Sequence, residues 1–223
     1  MYVPVPYEAP DLRDAYELIR NYPFGIMTLL VDGRMKSVHA PFILVESDED
    51  ILLQAHIARV NDISSHLEGQ EILVHFSGPH SYVSPTWYSH ENHYPTWIYA
   101  SVHAYGEARL MQGEELPAQL LSLIDSHESK LDKGENWQIT TMPEELTEKL
   151  KSMIVGFEIK VTKLEPCFKL NQHKDLADVQ ALATALRSQT HNNAAELANL
   201  MEVHFQQGNR EAINNYLRKY DTA

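Results

Sequence analysis

The stretch from Gly78 to Tyr99, GPHSYVSPTWYSHENHYPTWIY, gathers groups that ligate metals, stack on planar ligands or carry protons. His90 and His93 stand three apart with Glu91 between them, and His75, His80 and His103 flank them. Imidazole and carboxylate are zinc ligands, so a metal site is the first chemistry to weigh. The pattern lacks the H-E-x-x-H register, and Pro85 and Pro95 argue against the helix that would put both imidazoles on one face. Histidines of a polar loop hydrogen-bonding to backbone or solvent are the favoured reading, with no metal ligand set assigned and with haem or a metal kept as an outside alternative. The second candidate is Cys167, the sole cysteine, beside Pro166 and near Lys163 and Lys169. Without a histidine partner it reads as a small buried hydrophobe rather than a nucleophile. The third is Arg59 in QAHIARVND, the only basic residue between Lys36 and Arg109. A guanidinium where a strand hands over to a helical turn grips a phosphate through paired hydrogen bonds, helped by Asn61 and by helix N-terminal amides. The competing reading is a surface ion pair with Asp62 or Glu68. No G-x-S-x-G elbow, phosphate loop or G-x-G-x-x-G occurs, so the usual hydrolase, nucleotidase and dinucleotide signatures are missing.

These residues need elements to hold them. APDLRDAYELIRNYP predicts a short helix capped by Asp11, with Leu12, Tyr16 and Ile19 on one face and Pro23 as its stop. GIMTLLV and RMKSVHAPFILV flank Asp32-Gly33, a dipeptide suited to a tight hairpin. The acidic ESDED then turns the chain into ILLQAHIA, which predicts a three-strand meander. NDISSHLEG reads as a helical turn ending at Gly69, and EILVHFSG as a further strand. From Trp97 to Leu110 the sequence alternates: Ile98, Ala100, Val102, Ala104, Gly106, Ala108 and Leu110 share one phase. The other phase carries Trp97, Tyr99, Ser101, His103, Tyr105, Glu107 and Arg109. One face is small and apolar, fit for a curved barrel interior. The aromatic face calls for a subunit partner or a planar ligand. LPAQLLSLIDSHESKL and PEELTEKLKSM predict two helices, and IVGFEIKVTKLE a last strand. Beyond Cys167 the spacing turns helical in DLADVQALATALRS, NAAELANLMEVHF and NREAINNYLRKY. The expected architecture is mainly β with peripheral helices (α+β): a barrel of about six strands over residues 1–166 and a helical appendage over 167–223.

Charge narrows the function classes. The 223 residues hold 18 Lys+Arg against 31 Asp+Glu, a formal net of -13 that repels nucleic-acid phosphates. All of that charge lies in residues 1–166, because 167–223 carries six basic and six acidic side chains. Direct DNA binding is therefore disfavoured for both parts. The longest apolar runs, such as FGIMTLL, fall short of the roughly 20 residues of a membrane span. The opening MYVPVPYEAPD lacks the basic and apolar regions of a secretory signal, and a single cysteine fits a reducing compartment, so a cytoplasmic location is expected.

In order and spacing, HAPFIL, HIARVN, FSGPHSYVSPTWY, PTWIYASVHAYGEARL, IVGFEIKV and FKLNQH resemble the PaiB family of the FMN-binding split-barrel superfamily. The resemblance implies a split β-barrel homodimer with flavin at the subunit interface, and a role as a negative transcriptional regulator. Carried over by position, Arg59 and Asn61 resemble the residues that hold the FMN phosphate. His39, His56, Ser84, Trp87, Trp97 and Tyr99 fall in the other signature segments and are expected to line the isoalloxazine and ribityl region. Lys169 and Gln172, in the KLxQ segment, are expected to dock the tail. The chain departs from the family's PTWNY at Ile98, from ARANPQW in ARVNDISSH, and from KLSQN in KLNQH. Ile98 belongs to the apolar phase of its strand, so that change reads as a core adjustment. Regulation by ligand sensing or through another protein is expected over direct DNA binding. The alternative is a flavin-dependent oxidoreductase of small molecules, a flavin reductase or a pyridoxamine-phosphate-oxidase-like enzyme.

Overall fold

The computed structural model describes residues 1–9, 11–47, 49–132, 135–190 and 193–207. The described elements are, in order, α1 (Leu12–Asn21), β1 (Phe24–Val31), β2 (Arg34–Pro41), β3 (Ile43–Glu46), β4 (Ile51–Ala58), β5 (Glu71–Val83), β6 (Thr96–Leu110), α2 (Glu115–Glu128), α3 (Glu144–Ser152), β7 (Ile154–Lys169), α4 (Leu176–Arg187) and α5 (Ala194–Gln207). The strands form one antiparallel sheet in the order β2-β1-β5-β6-β7-β4-β3, an α+β fold. No described helix is long and apolar enough to cross a membrane. Two compact units make up the chain, one of Met1–Asn21, Ser77–His103 and the chain from Glu165 on, the other of Tyr22–Phe76 and Ala104–Leu164.

The second unit starts from the expected hairpin. Asp32 and Gly33 take φ of 49° and 74°, the double positive values of a two-residue turn, and Val31 pairs with Arg34. Along β1, Met27, Leu29 and Val31 are buried while Phe24 and Leu30 are exposed. The predicted three-strand meander does not form. The chain breaks at Phe42, whose N–H donates to Pro23 O at 2.9 Å and whose ring packs edge-on against Phe76 and Phe157 at 5.6 and 6.3 Å. One predicted strand thus becomes two, giving seven strands where six were expected. β3 pairs with β4, β4 with β7, and the hairpins β1–β2 and β3–β4 end up at opposite ends of the strand order. Within this unit β2 also packs against β4, so the sheet curls toward closure as a barrel requires. Gly106 of β6 allows the neighbouring strand in: a Cβ there would lie 2.1 Å from Lys160 O. The alternation of β6 holds from Ile98 to Ala108, all even-numbered residues buried, with Ser101 of the other phase buried as well. Ile98 itself is fully buried, the position of a core adjustment.

In the first unit, α1 begins after Asp11, whose Oδ1 accepts from Arg13 N at 2.9 Å. Its buried stripe is Ala15, Leu18 and Ile19 rather than the expected Leu12, Tyr16 and Ile19; Leu12 is half exposed. That choice uses the i, i+3, i+4 ridge. α4 opens on Asp175, whose carboxylate caps Asp178 N at 2.9 Å, and packs along α5 through Val179, Leu182, Leu186, Leu197 and Met201, all buried. Burial of each such side chain stabilises by about 1.5–3 kcal/mol. β7 runs on through Pro166 and Cys167 to Lys169. The third expected tail helix, NREAINNYLRKY, lies outside the described residues.

Candidate functional site

Four of the residues singled out by sequence, His39, His56, Arg59 and Asn61, sit in the second unit; Ser84, Trp87, Trp97 and Tyr99 sit in the first. In the second unit, β4 alternates Leu53, Ala55 and Ile57 toward the core with Gln54, His56 and Ala58 on the opposite face. His56 Nδ1 lies 3.1 Å from Oε1 of Gln119 on α2, so the carboxamide oxygen accepts from the ring N–H. Gln119 is 1% exposed, and its Nε2 has no hydrogen-bond partner among the described residues. His39, exposed on β2, stacks on Phe24 at 5.7 Å and 25°.

Arg59 is placed differently from either sequence reading. Its Nε donates to Ser152 O at 2.9 Å and its Nη2 to Ile154 O at 2.8 Å, while its backbone N–H donates to Met153 O at 2.8 Å. The guanidinium thus clasps the C-terminus of α3 to the start of β7, where a cation meets the negative end of the helix dipole. The acids expected as its partners are engaged elsewhere: Asp62 pairs with Lys36, and Glu68 accepts from Leu110 N at 2.7 Å. Beyond Arg59 the chain forms a three-residue 3-10 turn, Ser64–His66, instead of a helix able to offer several amides. Asn61 Oδ1 accepts from Ile63 N at 3.2 Å and shapes that turn. Nη1 of Arg59 takes no part in the clasp.

In the first unit the burial pattern of β5 shifts phase at Gly78 and Pro79, both buried, so His80 and Tyr82 come to the exposed face. Trp97 on β6, 51% exposed, meets both: His80 at 6.1 Å and Tyr82 edge-on at 6.3 Å. An open aromatic patch of this kind is what a planar ligand or a subunit partner covers. Ser84 caps the 3-10 turn Pro85–Trp87, its Oγ accepting from Thr86 N at 3.3 Å, and the turn packs on α4. Tyr99 lies deeper. Burial, then the neighbouring Cys167 thiol at 3.7 Å, push its phenol up to about 12. Burial likewise pushes the Cys167 thiol above its ordinary value. Both groups keep their protons at neutral pH, which suits neither a nucleophile nor a base, in line with the reading of Cys167 as a buried hydrophobe.

The histidines of the loop have a partner that sequence does not reveal. Asp178 of α4, 2% exposed, accepts from Ser89 N at 2.9 Å, Ser89 Oγ at 2.8 Å and His90 N at 3.2 Å. Its other oxygen lies 2.8 Å from His93 Nε2. The reading of a polar loop bonded to backbone or solvent is corrected accordingly: His90 bonds to a tail carboxylate and His93 lies against it. His90, Asp175 and Asp178 bring ligand atoms within 4.8 Å of one another, but Oδ1 of Asp178 is already taken up by the loop. Burial alone would raise the Asp178 carboxyl, and the bonds from Ser89 and His90 outweigh it, holding it at about 2. The KLxQ segment completes the joint. Lys169 Nζ donates to Thr96 Oγ1 at 2.9 Å, and Asn171 Nδ2 to the Tyr88 hydroxyl at 3.1 Å. Gln172 is turned inward, Oε1 accepting from Leu170 N and Nε2 donating to Phe168 O.

Comparison with known proteins supplies an independent line. A family described as "Putative FMN-binding domain" matches residues 1–163. The Bacillus subtilis protein "Protease synthase and sporulation protein PAI 2" is 31% identical over 203 residues, covering 91% of this chain and 97% of that protein. Among solved structures, the FAD and haem binding protein from Mycobacterium smegmatis aligns with a TM-score of 0.54 at 12% identity, over 73% of each chain. The flavocytochrome Anf3 from Azotobacter vinelandii aligns at 0.52 and 14% identity, covering 73% of this chain and 69% of that one. At such identities the structural likeness establishes the fold.

Proposed function

This chain belongs to the PaiB family of FMN-binding domains, and from that membership we propose that it is a flavin-binding homodimer of the cytoplasm that regulates indirectly, by sensing a ligand or through another protein. The observation that carries the reading is the exposed aromatic patch that His80 and Tyr82 of β5 form with Trp97 of β6, whose even-numbered residues from Ile98 to Ala108 are all buried. A flavin ring fits it, being a flat apolar surface that stacks on indole and phenol. When bound, FMN supplies a redox-active chromophore. Trp97, Tyr99, Ser84 and Trp87 are proposed to face the isoalloxazine and ribityl parts, with His39 in the same role within the second unit; His56, held by Gln119, is not assigned to it. Arg59 and Asn61 are proposed for the phosphate, Arg59 through the Nη1 that its clasp leaves over. The name of the relative, "Protease synthase and sporulation protein PAI 2", points to sporulation as the setting in which such a role is sought. The neutral tail and the acidic remainder favour an indirect mode over DNA contact. Tyr99 and Cys167 of the same unit both hold their protons, which favours binding over catalysis.

Titration of wild type, Arg59→Ala and Arg59→Lys with FMN and with riboflavin tests the phosphate role. Loss of one charge-assisted phosphate contact costs about 1.5–3 kcal/mol, or roughly tenfold and more in affinity. Arg59→Ala should weaken FMN by that factor and leave riboflavin unchanged. An equal fall for both ligands would assign Arg59 to the clasp alone.

A further inference from the structure

The second unit holds a cavity that the flavin reading does not use. It lies over the outer face of β4, under α2, α3 and residues 137–142, with a volume of about 400 Å³. His56 and Ala58 form its floor, and Leu120, Trp137, Met142 and Met153 are among its walls. Protein interiors rarely leave voids larger than a water molecule, whereas small-molecule sites run from about 300 to 1,000 Å³ with mostly apolar walls and a few placed polar groups. Trp137 is 41% exposed and Met153 57%, so the cavity opens to solvent through an apolar rim.

The polar groups define the occupant. Three side chains with polar ends line the space: His56, Thr147 and Lys151. Thr147 Oγ1 donates to Pro143 O at 3.2 Å, and Lys151 is paired with Glu148 at 2.7 Å. Both keep hydrogen-bonding capacity, but the charge of Lys151 is already balanced by Glu148, so no unpaired charge among the described lining residues is left to balance an ionic ligand. His56 is different. Gln119 Oε1 accepts from its Nδ1–H, which fixes the tautomer and presents Nε2 as a hydrogen-bond acceptor. Gln119 is buried to 1% exposure and its own Nε2 has no partner among the described residues, so the hydrogen bond to His56 is the one its side chain makes there. The opposite wall, Met153 and Ile154, is fixed in place by the Arg59 clasp.

We propose that this cavity is a binding site for a neutral, largely apolar molecule carrying one hydroxyl or N–H, whose donor bonds to Nε2 of His56. The site is distinct from the aromatic patch of the first unit and does not depend on flavin being bound.

The probe is 2-naphthol, titrated by calorimetry into flavin-free full-length protein alongside 2-methoxynaphthalene and 2-naphthoate. Wild type should bind 2-naphthol saturably below about 1 mM and 2-methoxynaphthalene at least about tenfold more weakly, the factor of one hydrogen bond. His56→Leu should bring 2-naphthol down to the level of the methyl ether while leaving the ether itself unchanged. Leu120→Trp, which fills the space from the helix side, should abolish binding; Ala58→Phe does the same from the strand should the first variant fail to fold. Equal binding of 2-naphthol by wild type and a folded filled variant would overturn the proposal. So would 2-naphthoate binding as tightly as 2-naphthol, or no saturable binding below about 1 mM. Sedimentation of the same variants covers the remaining occupant: if filling the cavity dissociates a dimer and naphthol never binds, a second copy occupies this face and the proposal fails. FMN titration of the filled variants, expected to match wild type, separates failure of this site from failure of the flavin reading.

Discussion

Replacing Asp178 by asparagine strikes the joint on which the tail depends. The carboxylate is 2% exposed and accepts three hydrogen bonds from Ser89 and His90, with His93 2.8 Å from its second oxygen. Those contacts hold its pKa at about 2 against an ordinary value of 3.8. At 1.36 kcal/mol per pKa unit, the ionised form is worth about 2 kcal/mol to the docked state. The depression sets the sign. The contribution is fully present above about pH 4, where the carboxyl is ionised in the undocked chain too, and is lost as the pH falls toward about 2. Asp178→Asn removes the charge and turns one acceptor into a donor facing other donors, so its cost should reach or exceed that figure. Hydrogen exchange of the α4 amides at neutral pH should accelerate by roughly 30-fold, the factor that corresponds to about 2 kcal/mol of local opening. As the pH falls through that window the wild type should lose α4 protection, and the variant should lose little more. Unchanged exchange in the variant, or an equal acid response in both proteins, would refute the docking argument.

Other outcomes rest on single contacts. Gly106→Ala should destabilise the protein by several kcal/mol, since its Cβ would meet Lys160 O at 2.1 Å and neither backbone can yield without breaking strand pairing; a thermal midpoint within a degree or two of wild type would contradict this. Cys167, fully buried with its thiol pushed up by burial, should react with a thiol reagent slowly in buffer and fast in denaturant. Equal rates would place it at the surface. His204 is buried, stacked on Phe168 at 4.5 Å, and held below the ordinary imidazole range by burial, with Asp14 opposing. The unfolded chain therefore binds the extra proton, and stability should fall as pH drops below the ordinary 6.5. His204→Phe should lessen that fall in urea titrations at about pH 7 and about pH 5.5.

Much of the architecture is legible because its signals are local. Period-two alternation needs no knowledge of partners, so the inward face of β6 can be read, and Asp32-Gly33 marks its turn by backbone chemistry alone. The break between β2 and β3 cannot, since Pro41 and Phe42 continue an apolar run and the interruption is set by Phe76 and Phe157, far away in sequence. Arg59 shows the same limit more sharply. Its partners are the carbonyls of Ser152 and Ile154, 93 and 95 residues on, and a backbone carbonyl leaves no mark in sequence. Spacing alone speaks against the two loop histidines, yet their carboxylate partner stands 88 residues from His90. Side chains acting within their own element can be read from sequence; those reaching across the chain cannot.

That this chain holds a flavin is tested most directly by adding FMN to the flavin-free protein and monitoring flavin emission and visible absorption. Saturable quenching with a shifted absorption band is expected at protein concentrations below about 0.1 mM, together with roughly 2- to 10-fold weaker binding by Trp97→Ala, since stacking on one exposed indole is worth about 0.5–1.5 kcal/mol. FMN that keeps the spectrum and emission of the free cofactor throughout the titration would contradict it.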